Sequence, residues 1–194
     1  MIIKDWKKEI LTIPNLLSLF RLILIPVYVV IYLNATVPNY YYIAGGILAA
    51  SCLTDLIDGK IARHFNMISN VGKILDPVAD KLTQFTLILC LAKSNPVLWV
   101  IVTLFVTKES FQLIAMLVFF RRGKMLTGAL MTGKICTTIL FVSLILMVLM
   151  PQLNETAIMI IAIIDGAFLL IAFVDYVLAY FRQTSKLTDV PNEE

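Results

Sequence analysis

Four aspartates lie within one short stretch of the chain, in two pairs whose spacing suits a helix. The first pair is Asp55 and Asp58, three residues apart, and the second is Asp76 and Asp80, four residues apart. Residues with these separations share one face of an α-helix, so each pair forms a small acidic surface. If the two helices are antiparallel neighbours, the four carboxylates converge. Such a concentration of negative charge in a low dielectric must be partly protonated or neutralised by cations.

The residues around the aspartates favour cations and a phosphate substrate. Carboxylate oxygens at this density are typical ligands of Mg²⁺ or Mn²⁺, and a pair of such ions can activate a nucleophile and stabilise a leaving phosphate. Gly59, Ala62 and Gly72 are interleaved with the aspartates. Taken singly, each small residue indicates tight helix packing, but together they let a ligand approach closely. Arg63 adds a cation suited to a diphosphate.

The rest of the chain has the composition of a membrane protein. Of its 194 residues, 60% are hydrophobic and 15% are charged, and the mean hydropathy is +0.91. A soluble domain is about 45–50% apolar and about 25% charged. We therefore predict an all-α integral membrane protein with six transmembrane helices in residues 14–181. A short interfacial helix over residues 1–13 precedes them, and a disordered cytoplasmic tail over residues 182–194 follows.

The positions of the charges predict the orientation of these helices. The predicted spans cover residues 15–33, 40–63, 71–92, 97–120, 127–149 and 156–181. Lys and Arg cluster at the N-terminus, in the 60–73 region where spans two and three meet, between spans four and five, and in the tail, whereas the opposite loops contain Lys93. By the positive-inside rule, both termini and the aspartate stretch face the cytoplasm.

The first predicted span carries a polar face. Asn15, Ser18 and Arg21 are spaced three apart and share that face. Asn15 is a candidate cap for the start of the helix. Arg21 lies about one and a half turns into the span, where an unpaired cation is costly. It either faces the bundle interior, towards an anion or an aspartate, or extends to the interface.

The aspartate stretch resembles the CDP-alcohol phosphotransferase family. The family signature is matched in full by Asp55-x-x-Asp58-Gly59-x-x-Ala62-Arg63, eight residues, and then Gly72-x-x-x-Asp76-x-x-x-Asp80. The six-span layout and the opening IPNLLSLFR extend the resemblance over nearly the whole chain. The resemblance implies transfer of the phosphatidyl group of CDP-diacylglycerol, or of a similar CDP-alcohol, to an acceptor hydroxyl, with release of CMP. It also implies a membrane-lipid environment and a homodimer, and it implies no nucleic-acid partner.

The resemblance also assigns roles to individual residues. Those implied to bind two Mg²⁺ or Mn²⁺ ions are Asp55, Asp58, Asp76 and Asp80. Asp80 is in addition the implied general base. Those implied to line the CDP and diphosphate pocket are Gly59, Ala62, Arg63, Gly72 and Asn15.

The acceptor is chosen by residues outside the signature. A phosphorylated acceptor needs cations, and the candidates are Arg21, Lys81, Lys108, Arg121, Arg122 and Lys134. The runs Asp80-Lys81-Leu82 and Gly133-Lys134-x-x-Thr137 resemble those of bacterial phosphatidylglycerophosphate synthases, whose acceptor is glycerol 3-phosphate. Lys108 and Cys136 stand where those enzymes usually have arginine and lysine. A CMP-forming cardiolipin synthase, with phosphatidylglycerol as acceptor, therefore remains an alternative.

An acidic ion pathway of a transporter is the alternative from another class. It predicts acidic groups strung across the membrane, and the sixth predicted span contains Asp165 and Asp175. The four signature aspartates instead cluster at one leaflet beside glycines and Arg63, which favours the enzyme. Asp165, near the middle of its span, is expected to be a buried carboxyl that is hydrogen-bonded or protonated.

Overall fold

The computed structural model describes residues 12–188, apart from residue 36 and the ranges 65–71 and 122–130. Inside helices, the side chains of residues 13–14, 38, 52, 55–64, 73–74, 120–121 and 185–188 are not described. The described part forms six helices: α1 (Ile13–Leu33), α2 (Pro38–His64), α3 (Gly72–Ser94), α4 (Leu98–Arg121), α5 (Met131–Leu149) and α6 (Glu155–Thr188).

Four of these helices are long and apolar enough to cross a membrane. Their apolar segments are Asn15–Leu33, Leu98–Phe119, Met131–Leu149 and Glu155–Thr184, in α1, α4, α5 and α6. The signature aspartates and several lysines lie in α2 and α3 and lower the hydropathy of those helices. The prediction of an all-helical membrane protein is therefore confirmed for the described part of the chain. The number of spans remains a prediction.

The start of α1 differs from the prediction. Thr12 is the N-cap, and its side-chain oxygen accepts a hydrogen bond from the backbone N–H of Asn15 at 3.4 Å. Pro14 lies in the first turn, where its missing N–H costs nothing. The prediction of Asn15 as the cap was wrong, because the helix begins before it. Asn15 is instead a buried residue of the first turn.

The end of α6 lies beyond the predicted end of the sixth span. The helix continues to Thr188, so the first part of the predicted tail is helical. Neither Gly nor Pro occurs between Arg182 and Thr188, and Pro191 is the first residue that would stop a helix. Residues 189–194 lie outside the described part, as do residues 1–11 of the predicted interfacial helix.

The first of two compact units contains α1, α2, α3 and the segment Leu144–Gln152. Helix α1 packs against both α2 and α3. Tyr28 and Tyr32 of α1 are buried and stack on each other with ring centroids 5.6 Å apart. Tyr41 of α2 meets Tyr32 edge to face at 5.5 Å. These aromatic contacts fix α1 beside α2 and so determine which face of α1 points towards the aspartates.

The second unit contains α4, α6 and the part of α5 up to Ser143. Helices α4 and α6 pack together, and Phe111 of α4 meets Phe173 of α6 edge to face at 5.5 Å. Buried residues recur along α6 at intervals of three or four positions and form its inner face. They are Ile158, Ala162, Asp165, Leu169, Ala172 and Tyr176. This face therefore brings two polar side chains, Asp165 and Tyr176, into an apolar interior.

Candidate active site

The polar face of α1 meets the second aspartate pair of α3. The Ser18 hydroxyl donates a hydrogen bond to Asp76 Oδ1, and Arg21 Nη1 donates to Asp80 Oδ1 in an ion pair. The spacing of three residues on α1 and four on α3 places the two contacts one helical turn apart. The expectation that Arg21 faces an aspartate is therefore confirmed. Its assignment to the acceptor remains a prediction.

The two partners of the ion pair differ sharply in exposure. The Arg21 side chain is 2% exposed, whereas the Asp80 side chain is 45% exposed. The guanidinium therefore holds the carboxylate from the inside of the unit, while the carboxylate itself remains accessible. Ser18 is also fully buried. A buried cation and a buried hydroxyl thus orient two accessible carboxylates, as expected of residues that position a reactive site.

The first aspartate pair lies near the end of α2. Asp55, Asp58 and the following signature residues up to Arg63 are helical, but their side chains lie outside the described part. The convergence of the two pairs therefore remains a prediction. Gly72, the last small residue of the signature, is the first residue of α3 and is buried four residues before Asp76.

The described residues contain part of the predicted metal site. Among the described side chains, no group of three or more His, Cys, Asp or Glu residues is close enough together to hold a metal ion. Asp76 and Asp80 do lie on one face of α3 and offer oxygen donors alone, which fits Mg²⁺ or Mn²⁺ rather than a softer ion. A complete ligand set would need Asp55 and Asp58 as well.

The second unit contains a buried cation. Lys108 of α4 is 3% exposed, and its Nζ lies 2.7 Å from Glu109 Oε1. The same Nζ lies 5.7 Å from the centre of the Tyr176 ring, within the range of a cation–π contact. Lys134, near the start of α5, is exposed. Lys81 is half-buried beside Asp80, and the side chain of Arg121 is not described.

Tyr176 is a residue that the sequence analysis missed. Its hydroxyl lies directly over Gly133 of α5, where a Cβ atom would come within 2.8 Å of the Tyr176 oxygen and 3.0 Å of Cε2. Gly133 belongs to the Gly-Lys-x-x-Thr pattern, so this glycine makes room for an aromatic side chain from α6. The available signal was the spacing of Tyr176 from Asp165 and Ala172, which places it on the inner face of α6.

Asp165 is buried as expected. It is 1% exposed, and its Oδ2 lies 2.6 Å from the Ser143 hydroxyl of α5. Both residues belong to the second unit. Asp165 therefore takes part in a polar contact between α5 and α6 that is separate from the aspartates of the signature.

Apolar helices of membrane-spanning length and an aspartate pair on α3 define a membrane protein with an acidic site, and comparison with known sequences gives its family. The sequence model described as CDP-alcohol phosphatidyltransferase matches residues 11–175. The chain therefore belongs to the CDP-alcohol phosphatidyltransferase family. Members of this family generally use divalent metal ions. Family membership also favours the transferase interpretation over the transporter alternative.

Individual relatives carry two kinds of name. A candidate cardiolipin synthase of Mycobacterium tuberculosis is 34% identical over 68% of this chain and 61% of its own length. A "probable phosphatidylglycerophosphate synthase" of the same organism is 29% identical over 91% of this chain and 85% of its own length. A CDP-diacylglycerol–glycerol-3-phosphate 3-phosphatidyltransferase of Rickettsia bellii is 36% identical over 44% of this chain and 46% of its own length. The chain thus spans only about three fifths of the mycobacterial cardiolipin synthase.

Proposed function

We propose that the protein transfers the phosphatidyl group of CDP-diacylglycerol to glycerol 3-phosphate, giving phosphatidylglycerophosphate and CMP. One observation carries the proposal: Asp76 and Asp80 are held by Ser18 and Arg21 of α1, in a chain that belongs to the CDP-alcohol phosphatidyltransferase family. Two of the relatives bear names with this activity. The reaction is a step of phospholipid biosynthesis that takes place at the membrane surface.

Asp80 is the proposed general base. Its exposed carboxylate can reach an acceptor hydroxyl, and Arg21 fixes its orientation. Asp80 takes the hydroxyl proton, and the acceptor oxygen bonds to the β-phosphorus of CDP-diacylglycerol. The bond from that phosphorus to the oxygen bridging the two phosphates then breaks, and the bridging oxygen leaves with CMP.

The proposed metal ligands are the four signature aspartates, Asp55, Asp58, Asp76 and Asp80. They would hold two ions of Mg²⁺ or Mn²⁺, in keeping with their all-oxygen donor set. Bound divalent ions polarise the diphosphate and stabilise CMP as the leaving group. Ser18 hydrogen-bonds to Asp76 and thereby holds this ligand in one rotamer.

The proposed CDP pocket uses the small residues of the signature. Gly59, Ala62 and Gly72 leave room for the nucleotide and the diphosphate, and Arg63 contributes a bidentate cation. Asn15 supports the pocket from the first turn of α1. It is 4% exposed and lies on the same helix face as Ser18.

The acceptor phosphate needs a cation that is not already neutralised by a neighbouring carboxylate. Lys108 is already balanced by the Glu109 carboxylate, so the pair carries little net charge to attract a phosphate. Lys134 is exposed and lies on α5 next to Gly133. We therefore propose that Lys134 binds the acceptor phosphate and that Lys108 helps to orient this phosphate. The further candidates are Arg21, Lys81 and Arg121.

Cardiolipin synthesis, with phosphatidylglycerol as acceptor, is the second candidate function. Two features of the second unit favour it. Lys108 is charge-balanced by Glu109, and Cys136 is a buried cysteine at a position where a further cation would serve a phosphorylated acceptor. Relatives from Mycobacterium tuberculosis and Streptomyces coelicolor carry cardiolipin synthase names.

An acceptor screen separates the two candidates. The purified protein in lipid nanodiscs receives CDP-diacylglycerol and Mg²⁺, with glycerol 3-phosphate, phosphatidylglycerol, serine or inositol phosphate in parallel, and CMP release is measured. We expect release with glycerol 3-phosphate. A Lys134→Gln variant should raise the KM for glycerol 3-phosphate and leave that for CDP-diacylglycerol unchanged. Product from phosphatidylglycerol alone overturns the first candidate and supports the second.

The proposal includes a membrane layout. All six helices cross the membrane, α2 and α3 included, because their 27 and 23 residues exceed the about 20 that a span needs. Residues 14–181 form the membrane domain, the chain is a homodimer, and both termini and the site are cytoplasmic. Cysteine labelling at positions added after residue 194 tests the orientation. Modification of intact cells by an impermeant reagent contradicts it, and a monomer by native mass spectrometry contradicts the dimer.

A further inference from the structure

Asp165 is a buried carboxyl that the proposed reaction does not use. It lies inside the apolar segment Glu155–Thr184 of α6 and is 1% exposed. A carboxylate in such surroundings loses its hydration, and the loss must be repaid by cations or by several hydrogen bonds. Among the described residues, Asp165 contacts no cation, and its hydrogen-bond partner is the Ser143 hydroxyl alone.

The hydroxyl of Ser143 has two acceptors but one proton. Its Oγ lies 2.9 Å from the Leu140 carbonyl oxygen and 2.6 Å from Asp165 Oδ2. A hydroxyl donates one hydrogen bond and can accept two, and a carbonyl oxygen only accepts. If Ser143 donates to Leu140, the contact with Asp165 is a hydrogen bond only when Asp165 supplies the proton. A protonated Asp165 satisfies both contacts at once.

The second oxygen of Asp165 points to the same protonation state. Asp165 Oδ1 is buried and has no hydrogen-bond partner among the described residues. A carboxylate would leave half of a negative charge on this unpaired atom. In a carboxylic acid the atom is a neutral carbonyl oxygen, whose burial without a partner costs much less.

Charged groups on the surrounding helices are distant along the helix axes. Those on α4 are Lys108, Glu109 and Arg121, the one on α5 is Lys134, and those on α6 besides Asp165 are Glu155, Asp175, Arg182 and Lys186. Asp175 and Glu155 lie ten residues from Asp165 on the same helix, about 15 Å at 1.5 Å per residue. Gly166 is level with Ile101 and Leu104 of α4, which places Lys108 at least one turn further along α4. Among the described side chains, none of these cations forms an ion pair with Asp165.

We infer that Asp165 is a neutral carboxylic acid that donates its proton to Ser143, which in turn donates to the Leu140 carbonyl. This chain of hydrogen bonds joins α6 to α5 within the second unit. Asp165 is therefore a positioning residue: it holds the helix that carries Tyr176 against the helix that carries Gly133. The inference does not depend on the identity of the acceptor.

A neutral carboxyl in an apolar region is also a modification site for a hydrophobic carbodiimide. The Asp165 oxygen bonds to the central carbon of dicyclohexylcarbodiimide, and the carboxyl proton moves to one of the two nitrogens, giving an O-acylisourea. The acyl group then shifts from oxygen to nitrogen and gives a stable N-acylurea. All atoms of both reactants are retained, and no further reagent is required. A carboxylate lacks the proton that this addition requires.

Labelling of the full chain in nanodiscs at neutral pH tests the inference. We expect dicyclohexylcarbodiimide to modify the peptide that contains Asp165, and a charged, water-soluble carbodiimide to leave it unmodified. The Asp165→Asn variant is the control for the site. Labelling of Asp165 only at acidic pH shows a carboxylate at neutral pH and overturns the inference.

An infrared difference spectrum between the wild type and Asp165→Asn makes the test independent of reagent access. A band from a protonated carboxyl that is lost in the variant supports the inference, and the loss of carboxylate bands instead overturns it. Substitution gives a third readout. Asp165→Asn keeps a donor and an acceptor in the same shape, so the melting temperature and CMP release should be retained, whereas Asp165→Ala should lower the melting temperature by roughly 2–4 °C. Equal damage from both variants indicates that the charge is needed and overturns the inference.

Discussion

Arg21 of α1 and Asp80 of α3 form an ion pair in which the cation is buried and the carboxylate is accessible, with side-chain exposures of 2% and 45%. This asymmetry makes chemical sense. Asp80 is the proposed general base, which must reach its substrate, whereas the group that orients it gains by being fixed in the interior. The same helix face of α1 also holds Asp76 through Ser18. Helix α1 therefore orients Asp76 and Asp80 although α1 itself contains no carboxylate.

Arg21→Ala should abolish most CMP release, because Asp80 loses the group that orients it. Loss of one partner costs about 3–5 kcal/mol in a fully buried pair, but solvent screens Asp80, so we expect about 1–2 kcal/mol of stability to be lost. Arg21→Lys keeps the charge but not the guanidinium fork and should restore only part of the activity. Lys93→Gln removes an exposed cation from α3 and is the matched control. Activity of Arg21→Ala equal to that of this control would exclude the orienting role.

Ser18→Ala should remove the hydrogen bond that orients Asp76. A hydrogen bond to a charged group contributes about 1.5–3 kcal/mol, which corresponds to at least about a tenfold higher Mg²⁺ concentration for half-maximal CMP release. Thr83→Val is the control, because Thr83 is also a buried hydroxyl near the aspartates but donates only to the Ala79 carbonyl of its own helix. A Mg²⁺ titration of the two variants decides the matter, and equal midpoints would show that Ser18 does not act on a metal ligand.

Asp80→Asn should stop CMP release while the protein remains folded and inserted. The amide oxygen can still accept the hydrogen bond from Arg21, so the packing of α1 against α3 survives. The amide cannot take a proton from the acceptor hydroxyl. Gel filtration and the melting temperature in detergent report the fold, and CMP release reports the reaction. Turnover at the wild-type rate would rule out Asp80 as the base.

Removal of divalent ions should stop the reaction reversibly. EDTA should abolish CMP release, and Mg²⁺ or Mn²⁺ should restore it, because the proposed site of four carboxylates needs cations to bind a diphosphate. Binding can be measured apart from activity by the electron paramagnetic resonance signal of Mn²⁺. Asp76→Asn should lower this binding, and Asp175→Asn, on α6, should not. Full activity in EDTA would refute the metal-dependent mechanism.

The sequence predicted the helices and the inward direction of Arg21, because both follow from local spacing. Residues three apart share a helix face, and an arginine within a span needs an anion. It did not predict which aspartate Arg21 meets, since the register between α1 and α3 depends on how residues from distant parts of the chain pack together. Thr12 was missed as the cap because Asn15 is an equally good capping residue by type.

Contacts between distant parts of the chain were the least predictable. Gly133 was recognised as part of a motif, yet nothing near it in the sequence indicates that Tyr176 lies over it. The period of α6 places Tyr176 on the inner face, but a period does not identify the neighbour on another helix. Asp165 was expected to be hydrogen-bonded or protonated, and its partner, Ser143, became known only from the structure.

Gly133→Ala should impair the enzyme through Tyr176. The new Cβ would lie 2.8 Å from the Tyr176 hydroxyl oxygen, so the Tyr176 ring must shift from its present position, in which its centre lies 5.7 Å from Lys108 Nζ. Lys108 would then lose a cation–π contact that contributes about 0.5–2 kcal/mol. We expect a higher KM for the acceptor and an unchanged KM for CDP-diacylglycerol.

A second substitution makes this prediction specific. Tyr176→Phe removes the oxygen that the new Cβ would strike but keeps the ring over Lys108, so Gly133→Ala combined with Tyr176→Phe should recover part of the acceptor affinity lost in Gly133→Ala alone. Gly46→Ala is the matched control, because a Cβ there meets nothing within 4 Å. It should be neutral or stabilise α2 by up to about 1 kcal/mol. If the double variant is no better than Gly133→Ala, the effect does not act through the Tyr176 hydroxyl and arises from another contact of Gly133.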